Sequence, residues 1–239
     1  MRKIAKVLAV PILIGYLTQK YVDPPKAPEI KDLPENIQKW YSMGEMIEVS
    51  GYEMFVRKFP FNGENDPGPT IVLIHGFPSS SYDYHKVGID KLQNYGPVIV
   101  YDHVGFGFSD KPKENFTFSI FELAEYSIML FKKLGLSDVI CIGHDMGDTV
   151  LAELVKRRHR GTLPDFLNIK GVAFTNGGIN FKYAKLRLAQ HLLRNPYFGP
   201  GLNRLLVILQ PHFPKLADKS YNEIWGSTQD LEERQQEMI

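Results

Sequence analysis

Apolar and polar residues alternate in blocks through the middle of the chain, and these blocks predict strands and helices in turn. Three short runs are almost entirely apolar and rich in β-branched residues: Thr70–Ile74, residues 97–101 and residues 169–174. Such runs are typical of strands that are buried on both faces. Longer helix-like segments stand around them, at residues 84–94, 120–134 and 146–158. The alternation predicts an α/β fold with a mostly parallel sheet and helices on both of its faces.

The two ends of the chain differ from this α/β core, which we place at residues 45–179. A hairpin at residues 45–59, turning at Gly51, opens the core. Before it, residues 23–44 begin with a stretch rich in proline and charge, which predicts a tether. After it, residues 180–239 contain helix-like stretches separated by prolines and no strand-like run. We expect this last segment to be a partial helical lid.

Residues 1–22 carry the pattern of a signal sequence or membrane anchor. Arg2, Lys3 and Lys6 precede an apolar segment at residues 7–17, which is the order of charges and apolar residues in such signals. The apolar segment is shorter than the roughly 20 residues of a full membrane span. We therefore expect an uncleaved anchor that is short or tilted, and the alternative is an amphiphilic helix on the globule or on a membrane surface. The basic residues favour a cytoplasmic N-terminus, with the catalytic domain in the lumen.

Composition and charge exclude several classes of partner and cofactor. The net charge of the 239 residues is +1, which gives no basis for binding nucleic acid. A single cysteine, Cys141, cannot form an internal disulfide, and its apolar surroundings predict a buried side chain. The glycines at 105 and 107 lack the continuation of a dinucleotide-binding fingerprint. We expect a small-molecule substrate, no metal and no cofactor.

A nucleophile-elbow pattern follows the apolar run at residues 139–142 and reads Gly143-His144-Asp145-Met146-Gly147. In such an elbow a strand turns sharply into a helix and holds the middle side chain on the bend. Asp145 stands in the position of the nucleophile. A carboxylate there attacks an electrophilic carbon and forms an alkyl-enzyme ester, whereas a serine would indicate an esterase. The pattern therefore predicts the opening of an epoxide or the displacement of a halide.

A second motif directly follows the strand Thr70–Ile74 and reads His75-Gly76-Phe77-Pro78. A loop in this place can aim the backbone N–H of Phe77 at a developing oxyanion, with the N–H of Met146 as the second donor. A glycine-rich loop after the strand at residues 97–101 reaches the same edge of the sheet. The side chains that we expect around the substrate are His75, Pro78, His144 and Phe106.

One further acid lies close to the elbow. Asp148 stands one helical turn after Asp145, so the two carboxylates share a helix face. We expect Asp148 to be a first-turn acid that the helix dipole favours, and a pair of carboxylates sharing a proton is the alternative. Among the histidines, His103 lies on a neighbouring loop, and none is an obvious general base.

Together these motifs resemble the α/β-hydrolase superfamily, in the branch that contains epoxide hydrolases and haloalkane dehalogenases. The similarity covers most of the chain and includes residues 105–112, 118–122 and 176–179. It implies an α/β-hydrolase fold, a helical lid inserted after the sixth strand, and a location in the endoplasmic reticulum membrane. Many members of this branch carry tryptophan after the nucleophile. Met146 has no side-chain N–H for a departing halide, which argues against dehalogenation more than against epoxide opening.

The resemblance also implies two late strands that deliver an acid and a histidine, and the sequence ends at Ile239, before them. We expect ester formation but slow hydrolysis of the ester, because a positioned general base contributes about 10²–10⁴ in rate. The strand at residues 169–174 would be an unpaired apolar edge, which favours association. Two alternatives stay open: a non-catalytic, membrane-anchored hydrolase-like protein, or an esterase that uses one of the serines 79–81.

Overall fold

The computed structural model describes residues 28–178 and Leu17. The chain forms two compact units, and residues 33–178 lie in one of them. The expected lid at residues 180–239 lies outside the described residues, as does all but Leu17 of the expected anchor. In the part that the structure does describe, no helix is both long and apolar enough to cross a membrane. The membrane location therefore stays a prediction.

A sheet of six strands forms the centre of the described unit. The strands are β1 (Glu45–Val49), β2 (Tyr52–Phe59), β3 (Thr70–Ile74), β4 (Val98–Tyr101), β5 (Asp138–His144) and β6 (Asn168–Thr175). Their spatial order is β1-β2-β4-β3-β5-β6. The pairs β1–β2 and β2–β4 are antiparallel, and the other three pairs are parallel. The opening hairpin and the mostly parallel sheet are as the sequence predicted.

The described residues contain four α-helices: α1 (Glu35–Ser42), α2 (Ile89–Leu92), α3 (Ile120–Lys133) and α4 (Met146–His159). The Ser119 hydroxyl caps α3 by accepting a hydrogen bond from the N–H of Glu122 at 3.3 Å. Both long helices bury an apolar face in the core, with Phe131 of α3 and Leu151 of α4 fully buried. Both helices agree with the expected segments to within a residue at either end.

A single helix over residues 84–94 was expected, and that expectation is wrong. The structure has a 3₁₀ helix at Ser81–Lys86, and α2 follows as a separate short helix. Gly88 between them has φ 67° and ψ 43°, a left-handed conformation that glycine adopts without steric penalty. The glycine therefore interrupts the helical path, and the chain enters α2 in a new direction.

A helix also stands in the second half of the segment at residues 23–44 that we expected to be a tether. In α1 the side chains of Ile37 and Trp40, one helical turn apart, are buried. The Trp40 ring meets Tyr82 edge-on at 5.3 Å between centroids. The guanidinium of Arg57 lies 4.0 Å from the centroid of the Trp40 ring, a cation–π contact. The folded unit therefore begins before residue 45, because α1 packs on the core.

An apolar core cluster joins the inner residues of the strands to α3 and α4. Cys141 in β5 lies in this cluster and is fully buried, as expected, and burial raises the pKa of its thiol to about 12. At the other margin of the sheet, β6 pairs with β5 alone among the described strands. Val172 and Phe174 of β6 are partly exposed. The parallel strands β3, β4, β5 and β6 end at the same edge, and the predicted site residues gather there.

Candidate active site

Asp145 stands on the bend between β5 and α4, with φ 51° and ψ −116°. Residues other than glycine rarely have positive φ, and such strained conformations cluster at functional sites. Gly147 lets the helix pass close to β3, because a Cβ there would lie 2.1 Å from the carbonyl oxygen of Ile74. The strand, the sharp turn and the helix of a nucleophile elbow are therefore all present, with the Asp145 side chain on the turn.

Two backbone N–H groups meet one oxygen of the Asp145 carboxylate. The N–H of Phe77 donates to Oδ1 at 2.9 Å, and the N–H of Met146 donates to the same atom at 2.6 Å. No described residue forms a hydrogen bond with Oδ2. One carboxylate oxygen is thus held by two donors, and the other has no partner within residues 28–178. The two donors are those that the sequence selected for an oxyanion hole.

The loop that carries Phe77 lies very close to the elbow. A Cβ on Gly76 would be 2.5 Å from the Asp145 Cβ and 2.8 Å from the His144 carbonyl oxygen. Only glycine fits between the two segments, since real Cβ atoms do not approach other atoms so closely. The following peptide bond, between Phe77 and Pro78, is cis, and both side chains are exposed. The close approach brings the Phe77 N–H within reach of the carboxylate.

His75 braces this loop from inside the protein. Its ring is fully buried, Nδ1–H donates to the carbonyl oxygen of Gly76 at 2.8 Å, and Nε2 accepts from the N–H of His103 at 3.0 Å. Both ring nitrogens are therefore occupied by backbone groups, which requires the neutral ring with its proton on Nδ1. Burial lowers the pKa of His75, although the nearby charge of Asp102 opposes the shift.

Of the other side chains expected around the substrate, Phe106 lies beside His75, whereas His144 contacts the end of β6 instead. The ring of Phe106 lies 5.6 Å from that of His75 and 6.2 Å from that of Phe77, between centroids. The ring of His144 is directed instead to the end of β6, where Nδ1–H donates to the carbonyl oxygen of Thr175 at 2.8 Å. The Phe106 ring therefore lies beside the rings of both His75 and Phe77, and Pro78 directly follows Phe77 in the chain.

Asp102 is a functional residue that the sequence analysis did not select. Its carboxylate is fully buried at the end of β4 and accepts hydrogen bonds from the N–H groups of Ser81 and Phe108, each at 2.7 Å. The two loops that flank the site are thus tied to one anion. A Cβ on Gly107 would lie 2.1 Å from Asp102 Oδ2, which explains the glycine. The sequence offered one signal that could have identified Asp102: it is an acid that directly follows an apolar strand.

His103 is buried without the partners that a buried ring usually has. The described residues offer neither of its ring nitrogens a hydrogen-bond partner. Its ring packs on those of His75 and Tyr101, at 4.8 and 5.1 Å between centroids. Burial, and then the neighbouring His75, hold the pKa of His103 well below its ordinary value. The ring is therefore neutral in the folded protein and must lose hydration to fold.

Replacing His103 by leucine should raise the free energy of unfolding, and most at acid pH. The unfolded state binds a proton near the ordinary histidine pKa of about 6.5. The folded state does not bind this proton. His103 therefore lowers the free energy of unfolding of the wild type as the pH falls below about 6.5, by up to about 1.4 kcal/mol per pH unit. Urea unfolding of the wild type and His103→Leu between pH 8 and 5 measures the difference. Parallel curves of stability against pH would contradict the buried, neutral ring.

The residues that the structure describes contain no group of acids, histidines or cysteines arranged to hold a metal ion. Residues 69–178 match the family model described as "alpha/beta hydrolase fold". This match, the strand order of the sheet and the turn at Asp145 show that the described unit has the α/β-hydrolase fold. Over a longer stretch, it is 34% identical over 227 residues to the mesoderm-specific transcript homolog protein of Bos taurus. That alignment covers 91% of this chain and 64% of the relative.

Two further proteins are similar to parts of this chain. The bifunctional epoxide hydrolase 2 of Sus scrofa is 35% identical over 89 residues, which are 37% of this chain and 16% of that protein. The crystal structure of a haloalkane dehalogenase from Agrobacterium tumefaciens superposes with a TM-score of 0.57 at 19% identity, over 81% of this chain and 60% of that one. This second similarity concerns the fold. The chain spans less than two thirds of the length of each of these relatives.

Proposed function

We propose that this chain is a hydrolase of the epoxide-hydrolase type, with Asp145 as its nucleophile. One observation carries the proposal: the Asp145 carboxylate stands on a strained bend with Oδ1 held by two N–H donors and Oδ2 without a partner among the described residues. The donors orient the carboxylate, and the unpartnered oxygen has a lone pair available for attack. A carboxylate that served only to cap α4 would not need the second donor from a distant loop.

The reaction would proceed in two steps. In the first, Oδ2 of Asp145 attacks an epoxide carbon, the C–O bond of the ring breaks, and its electron pair stays on the epoxide oxygen, which takes up a proton. In the second, water gives up a proton and attacks the carbonyl carbon of the ester, and negative charge develops on Oδ1. The bond between this carbon and Oδ2 then breaks, which releases the diol and restores the carboxylate with one oxygen from water. The N–H groups of Phe77 and Met146 already point at this atom, and a single donor of this kind is worth about 10²–10³ in rate.

An epoxide is a better substrate for this site than a haloalkane. When a C–halogen bond breaks, a separate halide ion leaves, and it needs N–H donors to hold it in a water-poor site. The Met146 side chain beside the nucleophile offers no such donor. The oxygen of an opened epoxide stays attached to the substrate and needs only a proton.

The folded protein, incubated with small aliphatic and aryl epoxides and quenched in acid, should carry an ester on the peptide that contains Asp145. Mass spectrometry after digestion would find that peptide heavier by the mass of the epoxide. Formation of the corresponding diol is the second supporting result, because the diol requires the ester to form and then to hydrolyse. Protein unfolded in urea before the epoxide is added serves as the control and should not be labelled selectively at Asp145.

A matched panel of chloroalkanes and bromoalkanes separates the two substrate classes. Halide release with no reaction of any epoxide would replace the proposed activity by dehalogenation. If well-folded protein gives neither a labelled Asp145 nor a diol with any epoxide, the proposal is wrong.

A further inference from the structure

One residue, Thr175 at the end of β6, forms hydrogen bonds with the elbow and with the first turn of α4. Its carbonyl oxygen accepts from the N–H of Asp145 at 3.3 Å and from Nδ1–H of His144 at 2.8 Å. Its hydroxyl donates to the carbonyl oxygen of Gly143 at 2.6 Å. Its own N–H donates to Oδ1 of Asp148 at 3.0 Å. Thr175, the last residue of β6, is thus hydrogen-bonded to the chain on both sides of the bend.

These hydrogen bonds close a ring around the bend. The ring runs from the Asp145 N–H to the Thr175 carbonyl, through Thr175 to its own N–H, and on to the Asp148 carboxylate. It returns along the first turn of α4, where the N–H of Asp148 donates to the Asp145 carbonyl oxygen at 3.2 Å. The backbone on both sides of the Asp145 Cα therefore has a fixed partner. Such a ring can hold φ at 51° against the cost of that conformation.

The surroundings of Asp148 are built closely around its carboxylate. The side chain is 1% exposed. A Cβ on Gly143 would lie 2.8 Å from Asp148 Oδ1, and a Cβ on Gly177 would lie 2.2 Å from Oδ2. Burial raises the pKa of Asp148, and the backbone N–H groups of Thr175 and Gly177 oppose the shift. Burying a carboxylate is unfavourable unless hydrogen bonds compensate. The Thr175 N–H supplies such a bond to Oδ1, whereas Oδ2 is buried without a hydrogen-bond partner among the described residues.

We propose that Asp148 and Thr175 are positioning residues for the nucleophile. They hold the peptide of Asp145 in the bent conformation that places Oδ1 beneath the N–H groups of Phe77 and Met146. Gly177, in the loop that follows β6, packs closely against the Asp148 carboxylate. This inference rests on the proposed function of Asp145. It differs from a pair of carboxylates sharing a proton, because no hydrogen bond joins the Asp145 and Asp148 carboxylates in the described part of the chain.

Four variants test the proposal by the rate at which an epoxide labels Asp145. Asp148→Ala removes the acceptor of the Thr175 N–H, and the resulting shift of the bend should slow labelling by about 10²-fold, the usual effect of a misplacement near 1 Å. Asp148→Asn keeps an oxygen acceptor and should restore the rate to within about tenfold of the wild type. Thr175→Val loses the hydroxyl contacts to Gly143 and His144 but keeps the backbone hydrogen bonds, and its rate should lie between the two. Asp165→Ala removes an exposed carboxylate and should label as the wild type does.

Amide hydrogen exchange, measured by NMR, gives a readout that does not depend on any substrate. In Asp148→Ala the N–H of Asp145 should exchange at least about tenfold faster, while the N–H groups of Val72 and Val100 in the central strands keep their protection. Faster exchange throughout the sheet would show a general structural role and overturn the proposal. Unchanged exchange at Asp145, or unchanged labelling in Asp148→Ala, would overturn it as well.

The two measurements also separate this proposal from the one on which it rests. If the wild type is not labelled by any epoxide, the proposed function fails, and amide exchange still decides whether Asp148 holds the bend. If Asp148→Ala does not fold, Thr175→Val gives the decision, because it keeps both backbone hydrogen bonds and removes only the hydroxyl. Labelling of Thr175→Val at the wild-type rate would then contradict the proposal.

Discussion

Replacing Asp145 by asparagine is expected to abolish labelling of the protein by epoxides and to leave the fold intact. The amide oxygen of asparagine can take the place of Oδ1 and accept from the N–H groups of Phe77 and Met146. The amide nitrogen replaces Oδ2, and its lone pair is delocalised and cannot attack carbon. Loss of a covalent nucleophile usually lowers the rate by more than about 10³-fold. Mass spectrometry of the elbow peptide measures the loss.

The retained hydrogen bonds distinguish this variant from one that merely unfolds the site. Because both donors keep an acceptor, the free energy of unfolding should change by less than about 1.5 kcal/mol, the range of a single hydrogen bond. Thermal unfolding followed by circular dichroism checks that point. If Asp145→Asn were labelled at the wild-type rate, the nucleophile would have to be another residue.

The geometry of the elbow could be predicted because it is encoded locally. Gly143, Asp145 and Gly147 lie within five consecutive residues, so a short stretch of sequence is enough to indicate the turn between strand and helix. The donor from Phe77 could be selected for the same reason, since its loop directly follows an apolar strand. Patterns of a few residues thus gave Asp145 and its two donors, and the structure places all three in contact.

The supports of the site could not be predicted, because they join segments far apart in the chain. Thr175 lies 32 residues after Gly143, and nothing in its own sequence neighbourhood indicates that its hydroxyl meets that carbonyl. Asp102 ties Ser81 to Phe108 only once β3 and β4 are paired. Helix α1 was missed because two buried side chains, Ile37 and Trp40, are too few for a clear periodic pattern.

Gly147→Ala should destabilise the protein strongly, although alanine is usually the better residue in a helix by about 1 kcal/mol. The added Cβ would lie 2.1 Å from the carbonyl oxygen of Ile74 and 2.6 Å from that of His75. Both are backbone atoms at the end of a central strand, so the contact can be relieved only by moving α4 away from β3. We expect a loss of at least about 3 kcal/mol. Scanning calorimetry should show the melting temperature lowered by roughly 10 °C.

Gly171→Ala in β6 is the matched control, because its Cβ would meet only Ile140 side-chain atoms at 3.6 Å, an ordinary contact. Its melting temperature should stay within about 3 °C of the wild type.

The Gly147 result also bears on chemistry, since α4 carries the N–H of Met146 and the loop after β3 carries that of Phe77. The close packing that makes alanine intolerable is what brings these two donors to one oxygen. An unchanged melting temperature in Gly147→Ala would mean that α4 and β3 lie further apart than in the structure. At that greater distance the N–H groups of Phe77 and Met146 could not both donate to Oδ1 of Asp145.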